Sequence, residues 1–500
     1  MSRDFSPGLD RTTWLTGIPS MTITYLQFAF YLLMMLGIGY YSMLKTRGNA
    51  GFILGNRSLG PATTAISAGA SDMSSWLLLG LPGAVFAGGL SEGLWISLGL
   101  IAGAYINWMV VAARLRRFSE VLQAITLPTY IGNRFEDESG LLKTFSAIVI
   151  LLFFTLYVAS GIKGGTLLFA HTFDASEDTA LIITTLVIVG NTFLGGYLAV
   201  CWTDLIQGIL MLCALLFCAL LGYFAISGRG IDISAANPKA FDWQAGSILT
   251  GASLMAWGFG YFGQPHILAR FLGIRNVQAV GSARRIGMSW MIIVLILSTC
   301  IGLIGIGYNE LHPLKGVTGD NGDPERIFLS LSSALFSPWV SGLVLAAVLA
   351  AVMSTADSQL LVLSSALTED TPFFRRLSDE KKAWISRLGV VGFALVAFLI
   401  ASTDTGSILD MVGYAWGGFG AAFGPLIILS VVWRGTTRSG AIAGIVVGAV
   451  SVYLFKNHVS VEGHYLYELL PSFVLAFLSI VVVSRLTKPP SRHLLEELGF

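Results

Sequence analysis

Residues Ile66–Gly83 read ISAGASDMSSWLLLGLPG, and their reading decides the fold. The stretch is apolar enough to enter a membrane. Yet it holds an acid (Asp72), four serines (Ser67, Ser71, Ser74, Ser75), three glycines (Gly69, Gly80, Gly83) and Pro82. A helix facing lipid does not tolerate this mixture, because each unpaired polar group in hydrocarbon costs several kcal/mol. The stretch therefore lines a protein interior or a water-filled cavity. An ionisable residue at membrane depth marks a functional site by default, so Asp72 is the first candidate.

The surrounding composition supports a membrane reading. Of 500 residues, 54% are hydrophobic and only 12% charged, and the mean hydropathy is +0.74. Soluble domains carry about 25% charged residues. A net charge of +1 offers no field for nucleic acid. The 57 glycines suit close helix packing in lipid. Cys201, Cys213, Cys218 and Cys300 fall in or beside apolar runs without metal-ligand spacing, and read as small buried hydrophobes that form no disulfide. Residues 1–20 show no basic region followed by an apolar core and cleavage site, so no signal peptide is expected. No GxxxxGK[ST] motif is present, which argues against ATP-driven transport by this chain.

A span needs about 20 mostly apolar residues. Thirteen such segments are read, near 22–44, 62–89, 93–113, 143–172, 179–198, 201–227, 247–262, 284–309, 338–366, 384–402, 407–433, 438–455 and 465–485. Most of the 30 basic residues fall into one set of alternating loops. That set holds Lys45, Arg47 and Arg57, then Arg114, Arg116, Arg117, Arg134 and Lys143. Arg270, Arg275, Arg284 and Arg285 follow, then Arg375, Arg376, Lys381, Lys382 and Arg387, then Arg434, Arg438 and the tail. The positive-inside rule makes this side cytoplasmic, with the N-terminus (Arg3, Arg11) outside and the C-terminus inside. On the outer side, Ile327–Phe336 reads as a helix over the mouth, and His266 reads as a loop histidine on the cytoplasmic side. Lys163 lies within a span and has no assigned function.

Three spans break the apolar pattern. The second carries Asp72. The seventh is short and glycine-interrupted, running Trp257-Gly258-Phe259-Gly260-Tyr261-Phe262-Gly263 into Gln264-Pro265-His266, so an unwound segment is expected there. The ninth carries Ser354, Thr355, Asp357 and Ser358; its three hydroxyls share a helix face with Ala351. The second and seventh spans are five apart. Paired interruptions of this kind point to an inverted-repeat transporter, in which unwound carbonyls coordinate a cation and half-helix ends face the solute.

At these same residues the chain resembles the sodium/solute symporter family. The likeness lies in Arg57–Pro61 (RSLGP), Ser67–Ser74 (SAGASDMS), Leu78–Val85 (LLGLPGAV) and Leu151–Tyr157 (LLFFTLY). It continues in Trp202-Thr203-Asp204, Trp257–Arg270 (WGFGYFGQPHILAR), Ala350–Thr355 (AAVMST) and Tyr414–Pro425 (YAWGGFGAAFGP). It covers about Thr22 to Leu486. The resemblance implies an all-α polytopic membrane protein of about 13 transmembrane helices with a LeuT-type 5+5 inverted-repeat core. The single transport domain then spans 1–500: a first helix and loop at 22–61, the core at 62–433, and two further helices with a cytoplasmic tail at 434–500.

The resemblance further implies sodium-coupled symport of L-proline by alternating access at the plasma (inner) membrane, with no obligatory protein partner. A sodium site is implied at the carbonyls of Ala70, Met73 and Ala351 and the hydroxyls of Ser354 and Thr355, with Asp72 linked to it. A solute pocket is implied at Ser74, Trp76, Gly80, Tyr157, Trp257, Tyr261 and Pro265. Both choices fit elementary chemistry, since hard cations take oxygen ligands and a small zwitterion with an apolar ring needs polar groups at its ends and aromatic walls. The acid in Thr355-Ala356-Asp357-Ser358 departs from some relatives, and a second sodium site at Asp204, Ser354, Asp357 and Ser358 is hypothesised. Two alternatives stay open: another small organic solute in the same architecture, and a transporter-like sensor. An enzyme is not expected, because no nucleophile–base or metal constellation emerges.

Overall fold

A computed structural model describes residues 19–500 apart from 47, 195, 245, 320, 321, 372, 375, 376, 404, 405 and 462–464. The expectations for the extreme N-terminus, with Arg3 and Arg11, lie outside the described residues, as do those for Arg47, Arg375 and Arg376. The described chain is nearly all helix, with an isolated bridge between Leu59 and Ile274. Ten of its helices are long and apolar enough to cross a membrane, and two shorter apolar helices, Trp76–Gly88 and Ile248–Phe262, join them. The protein is thus a multi-pass membrane protein.

The helices that build the bundle are α1 (Ser20–Lys45), α2 (Pro61–Asp72), α3 (Trp76–Gly88), α4 (Leu90–Val121) and α5 (Leu141–Phe173). Then follow α6 (Glu177–Leu194), α7 (Tyr197–Ile226), α8 (Ile248–Phe262), α9 (Pro265–Gly273) and α10 (Ala279–Leu311). The last are α11 (Pro338–Asp370), α12 (Asp379–Ala401), α13 (Ile408–Val432), α14 (Arg438–His458) and α15 (Leu469–Leu486). A short helix forms at Ile327–Leu335, within the run expected to be helical, with Ile327–Ser332 buried.

Both expected interruptions are present. Pro61 opens α2 at a position where its missing N–H is not needed. The helix stops at Asp72 because Met73 leaves helical geometry at φ −85°, ψ 77°. The chain resumes at Trp76 in a wide π-turn, a form common at functional sites. In the other break, α8 tightens to 3-10 geometry over Ala256–Phe262, Gly263 and Gln264 lie between helices, and Pro265 starts α9. The glycines allow close approach: a Cβ on Gly103 of α4 would fall 2.0 Å from the Gly258 carbonyl oxygen.

Two sequence readings need correction. The third span continues to Val121 rather than ending near 113, so Arg116 is on a helix and buried instead of in a loop. The seventh continues past its break, so His266 and Arg270 are fully buried rather than loop residues. The reason is the apolar run Ile267-Leu268-Ala269 and Phe271-Leu272, which extends the helix around both. Lys163 reaches from α5 to the carbonyl of Gly406, just before α13. The four cysteines are free thiols.

Candidate functional site

The break after α2 lies at the centre, against α11, and places Asp72 at the meeting point of several elements. The Asp72 carbonyl accepts from Ser74 N at 3.0 Å, Trp76 Nε1 at 3.1 Å and the Tyr157 hydroxyl at 3.2 Å. Its carboxylate Oδ2 accepts from the Tyr261 hydroxyl. One residue thus ties both interrupted helices to α5. Its other carboxylate oxygen, Oδ1, is buried without a partner.

Two residues earlier, Ser354 Oγ of α11 lies 2.8 Å from the Ala70 carbonyl and 3.1 Å from the Ala351 carbonyl. A single hydroxyl hydrogen serves only one of these acceptors at a time. The neighbouring Thr355 Oγ1 is buried and bonds to nothing. Met73, fully buried, caps α2 through its N–H to Gly69. The Ala70 carbonyl, close to the end of α2, thus meets a hydroxyl of α11, and oxygen groups of this kind suit a hard cation.

Around Asp72 stand the aromatic side chains. Trp76 and Trp257 rings are 6.5 Å apart, and Tyr261 meets Trp416 edge-on at 5.1 Å. Tyr157 completes the group through its hydrogen bond to Asp72. Gly80 and Pro265 have other surroundings. A Cβ on Gly80 would lie 3.4 Å from Leu409 and 3.6 Å from the Glu325 carboxylate. Pro265 lines a different cavity, with Thr126, Tyr197, Arg270 and Asp370.

The two acids hypothesised for a second sodium site take different hydrogen-bond partners. Asp204 Oδ2 accepts from Ser67 Oγ at 2.6 Å and from Arg270 Nη2 at 3.0 Å, and that guanidinium also reaches Ser358 Oγ. Asp357 turns instead to Asn191 and Thr192 of α6. A fixed cation already stands between Asp204 and Ser358, so Coulomb repulsion opposes sodium there. The sequence reading missed this because it counted Arg270 as a loop cation; the apolar residues on both sides were the available signal.

Other participants left weaker traces in the sequence. Asn107 Nδ2 donates to the Tyr261 carbonyl at 2.9 Å, and Trp416 Nε1 to the Trp257 carbonyl at 2.7 Å, holding the 3-10 segment from both sides. Tyr467 stacks on Trp257 at 5.2 Å. At the Leu59 end the bundle is tied shut. Leu59 N donates to the Gly273 carbonyl at 3.3 Å and Arg275 N to the Leu59 carbonyl at 3.0 Å. Arg57 adds hydrogen bonds to the carbonyls of Ser119, Ala124 and Leu272, each 2.9 Å.

Two broken helices that meet within an all-helical membrane bundle give the chain a LeuT-type fold. The fold is shared with a Na+-coupled sialic acid symporter in a substrate-bound outward-open state (TM-score 0.77, 18% identity, 94% of this chain and 99% of that one). It is also shared with a nucleobase-cation-symport-1 family transporter in a closed conformation (TM-score 0.55, 14% identity, 89% of this chain and 97% of that one). In sequence, residues 52–448 match the model of the Sodium:solute symporter family. The chain is 46% identical over 473 residues to the sodium/proline symporter of Escherichia coli (strain K12), covering 93% of each. It is 45% identical over 473 residues to the high-affinity proline transporter PutP of Bacillus subtilis (strain 168), covering 93% of this chain and 98% of that one. The chain belongs to the sodium:solute symporter family.

Proposed function

We propose that this protein imports L-proline together with sodium by alternating access. The observation that carries the reading is the convergence of the Ala70 and Ala351 carbonyls on Ser354, beside the unpartnered Thr355 hydroxyl and two residues from Asp72. Proline as the solute is supported by relatives named for proline transport at 44–46% identity. Sodium binds Ala70, Met73, Ala351, Ser354 and Thr355, and Asp72 acts by holding the loop through Tyr261. Proline lies against Ser74, Trp76, Tyr157, Trp257 and Tyr261, with Gly80 and Pro265 at the flanks.

The loop 73–75 belongs to both sites. Sodium that orders it also assembles the solute pocket, and this differential binding is what coupling requires. Entry of one sodium down a 100 mV potential supplies about 2.3 kcal/mol.

The same reading counts thirteen spans: the ten long helices, the two broken pairs α2/α3 and α8/α9, and α6. Spans two to six and seven to eleven form the 5+5 inverted repeat, with 62–433 as the core, 22–61 before it and 434–500 after it. The end carrying Lys45, Arg57, Arg275 and Arg438 is cytoplasmic, which sets the C-terminus inside and the N-terminus outside the plasma membrane. Uptake of labelled proline into proteoliposomes, with and without an inward sodium gradient, tests the proposal. Accumulation that collapses without the gradient is expected. Uptake indifferent to sodium, or a stronger response to another solute in a competition panel, overturns it.

A further inference from the structure

A small cavity is lined by Asp72 at the end of α2, Asn107 of α4, Tyr261 of α8, and Met288 and Met291 of α10. Its walls come from α2, α4, α8, α9 and α10, whereas Ser354 and Thr355 stand on α11. Two buried oxygens belong to these walls. Asp72 and Asn107 are each 1% exposed, and Oδ1 of both residues lacks a hydrogen-bond partner among the described residues. The Asn107 amide is oriented by its Nδ2, which donates to the Tyr261 carbonyl at 2.9 Å, so its Oδ1 is an acceptor. Leaving a buried acceptor unpaired is unfavourable, and such groups in a folded protein call for an explanation. Asn107 also opens a π-turn within α4, over Asn107–Ala112, a form common at functional sites.

The chemistry of the two atoms selects an occupant. Both are acceptors, which excludes an anion and requires either a cation or a donor of two hydrogens. A hard cation gathers about six oxygens. Beyond Asp72, Asn107 and Tyr261, the lining side chains are alanine, glycine, methionine and bulky apolar residues, too poor in oxygen for that. The cavity has a volume of about 20 Å³. A water needs about 10–15 Å³ and two to four polar partners. One water donates a hydrogen to each oxygen.

We propose that an ordered water joins Asp72 Oδ1 to Asn107 Oδ1 and makes Asn107 a positioning residue for sodium-coupled transport. The bridge closes a ring. Tyr261 donates through its hydroxyl to Asp72 Oδ2, and its carbonyl accepts from the Asn107 amide. Both carboxylate oxygens of Asp72 are then anchored to the 3-10 segment of α8, one directly and one through α4. Asn107 thereby fixes the residue that ends α2, two positions from the Ala70 carbonyl. The inference rests on the function proposed above, in which Asp72 holds the sodium loop.

The test is sodium-driven proline uptake by full-length protein in proteoliposomes, comparing wild type with Asn107→Leu and Gly287→Ala. Gly287 lines the same cavity, and a Cβ there would meet Ala65 at 3.5 Å, an ordinary van der Waals contact. That methyl takes the room of the water and leaves the Asn107–Tyr261 bond intact, so a folding defect in the first variant does not decide the result. Both variants are expected to raise the half-saturating sodium concentration about tenfold, equivalent to about 1.4 kcal/mol. In Gly287→Ala the half-saturating proline concentration at saturating sodium stays at the wild-type value. Infrared spectra in water labelled with heavy oxygen give a second readout: an isotope-sensitive O–H band is expected in wild type and in neither variant. A sodium shift in Asn107→Leu alone assigns Asn107 to Tyr261 only and overturns the bridge, as does an unchanged sodium dependence in both, or a wild type without the band. A transported sodium-to-proline ratio that falls by one in Gly287→Ala identifies a cation in the cavity and overturns the water. A wild type without sodium-driven proline uptake overturns the proposed function, while the infrared band still reports on the bridge.

Discussion

Asp72 serves through its carbonyl as much as its carboxylate. Three donors converge on that carbonyl, while the acid side chain accepts from Tyr261. Replacing Asp72 by Asn, or Thr355 by Ala, is expected to raise the half-saturating sodium concentration by roughly tenfold or more, as loss of a ligand or its support does. Normal sodium dependence of uptake in both variants would remove the site assignment. The Asp204–Arg270 pair belongs to stability instead. Both side chains are fully buried, so Asp204→Ala strands a guanidinium and is expected to destabilise by about 3–5 kcal/mol. Thermal unfolding in detergent reads the loss. Combining Asp204→Ala with Arg270→Met should recover much of it, because neither charge of the pair then remains.

At the scale of elements, the loop before Ile327–Leu335 is fastened to α13 by one carboxylate. Glu325 accepts from the backbone N–H groups of Ile408 at 3.0 Å and Leu409 at 3.2 Å, capping that helix. Burial pushes its pKa from the ordinary 4.5 up to about 7, against the two hydrogen bonds that lower it. A raised carboxyl pKa means that packing favours the protonated form. Its contribution is therefore complete below about pH 4.5 and is lost as pH rises through about 7. Hydrogen exchange of Ile327–Leu335, corrected for its intrinsic pH dependence, should accelerate between pH 5 and 8. Glu325→Gln should flatten that profile. An identical profile in the variant would show that the loop is held by other contacts.

Across the whole molecule, the two broken helices are joined at one end. The Leu59–Ile274 bridge unites the chain entering α2 with the chain leaving α9, at the end proposed to be cytoplasmic. Alternating access then requires this bridge to part in every cycle. In a background lacking the four native cysteines, the double substitution Leu59→Cys and Ile274→Cys is expected to abolish uptake on oxidation and regain it on reduction. Sodium-dependent proline binding should survive oxidation, because the central site does not depend on the bridge opening. Undiminished uptake after complete cross-linking would contradict the gate.

The amino-acid sequence by itself determined the all-helical membrane class, the two interruptions and the polar face at Ser354 and Thr355. These follow from local rules: apolar length, glycine and proline conformational limits, and the cost of a polar group in lipid. It also carried the family motifs across nearly the whole chain. Only the tertiary structure decided which polar groups meet. Asp204 and Arg270 are 66 positions apart, and Asp204 was read with Asp357 until the fold turned the first toward a guanidinium and the second toward α6. One cavity likewise draws Glu92, Trp257, Asp410 and Glu468 from distant parts of the chain. Charge pairing depends on distance in space, and helical periodicity carries no information about which helices become neighbours.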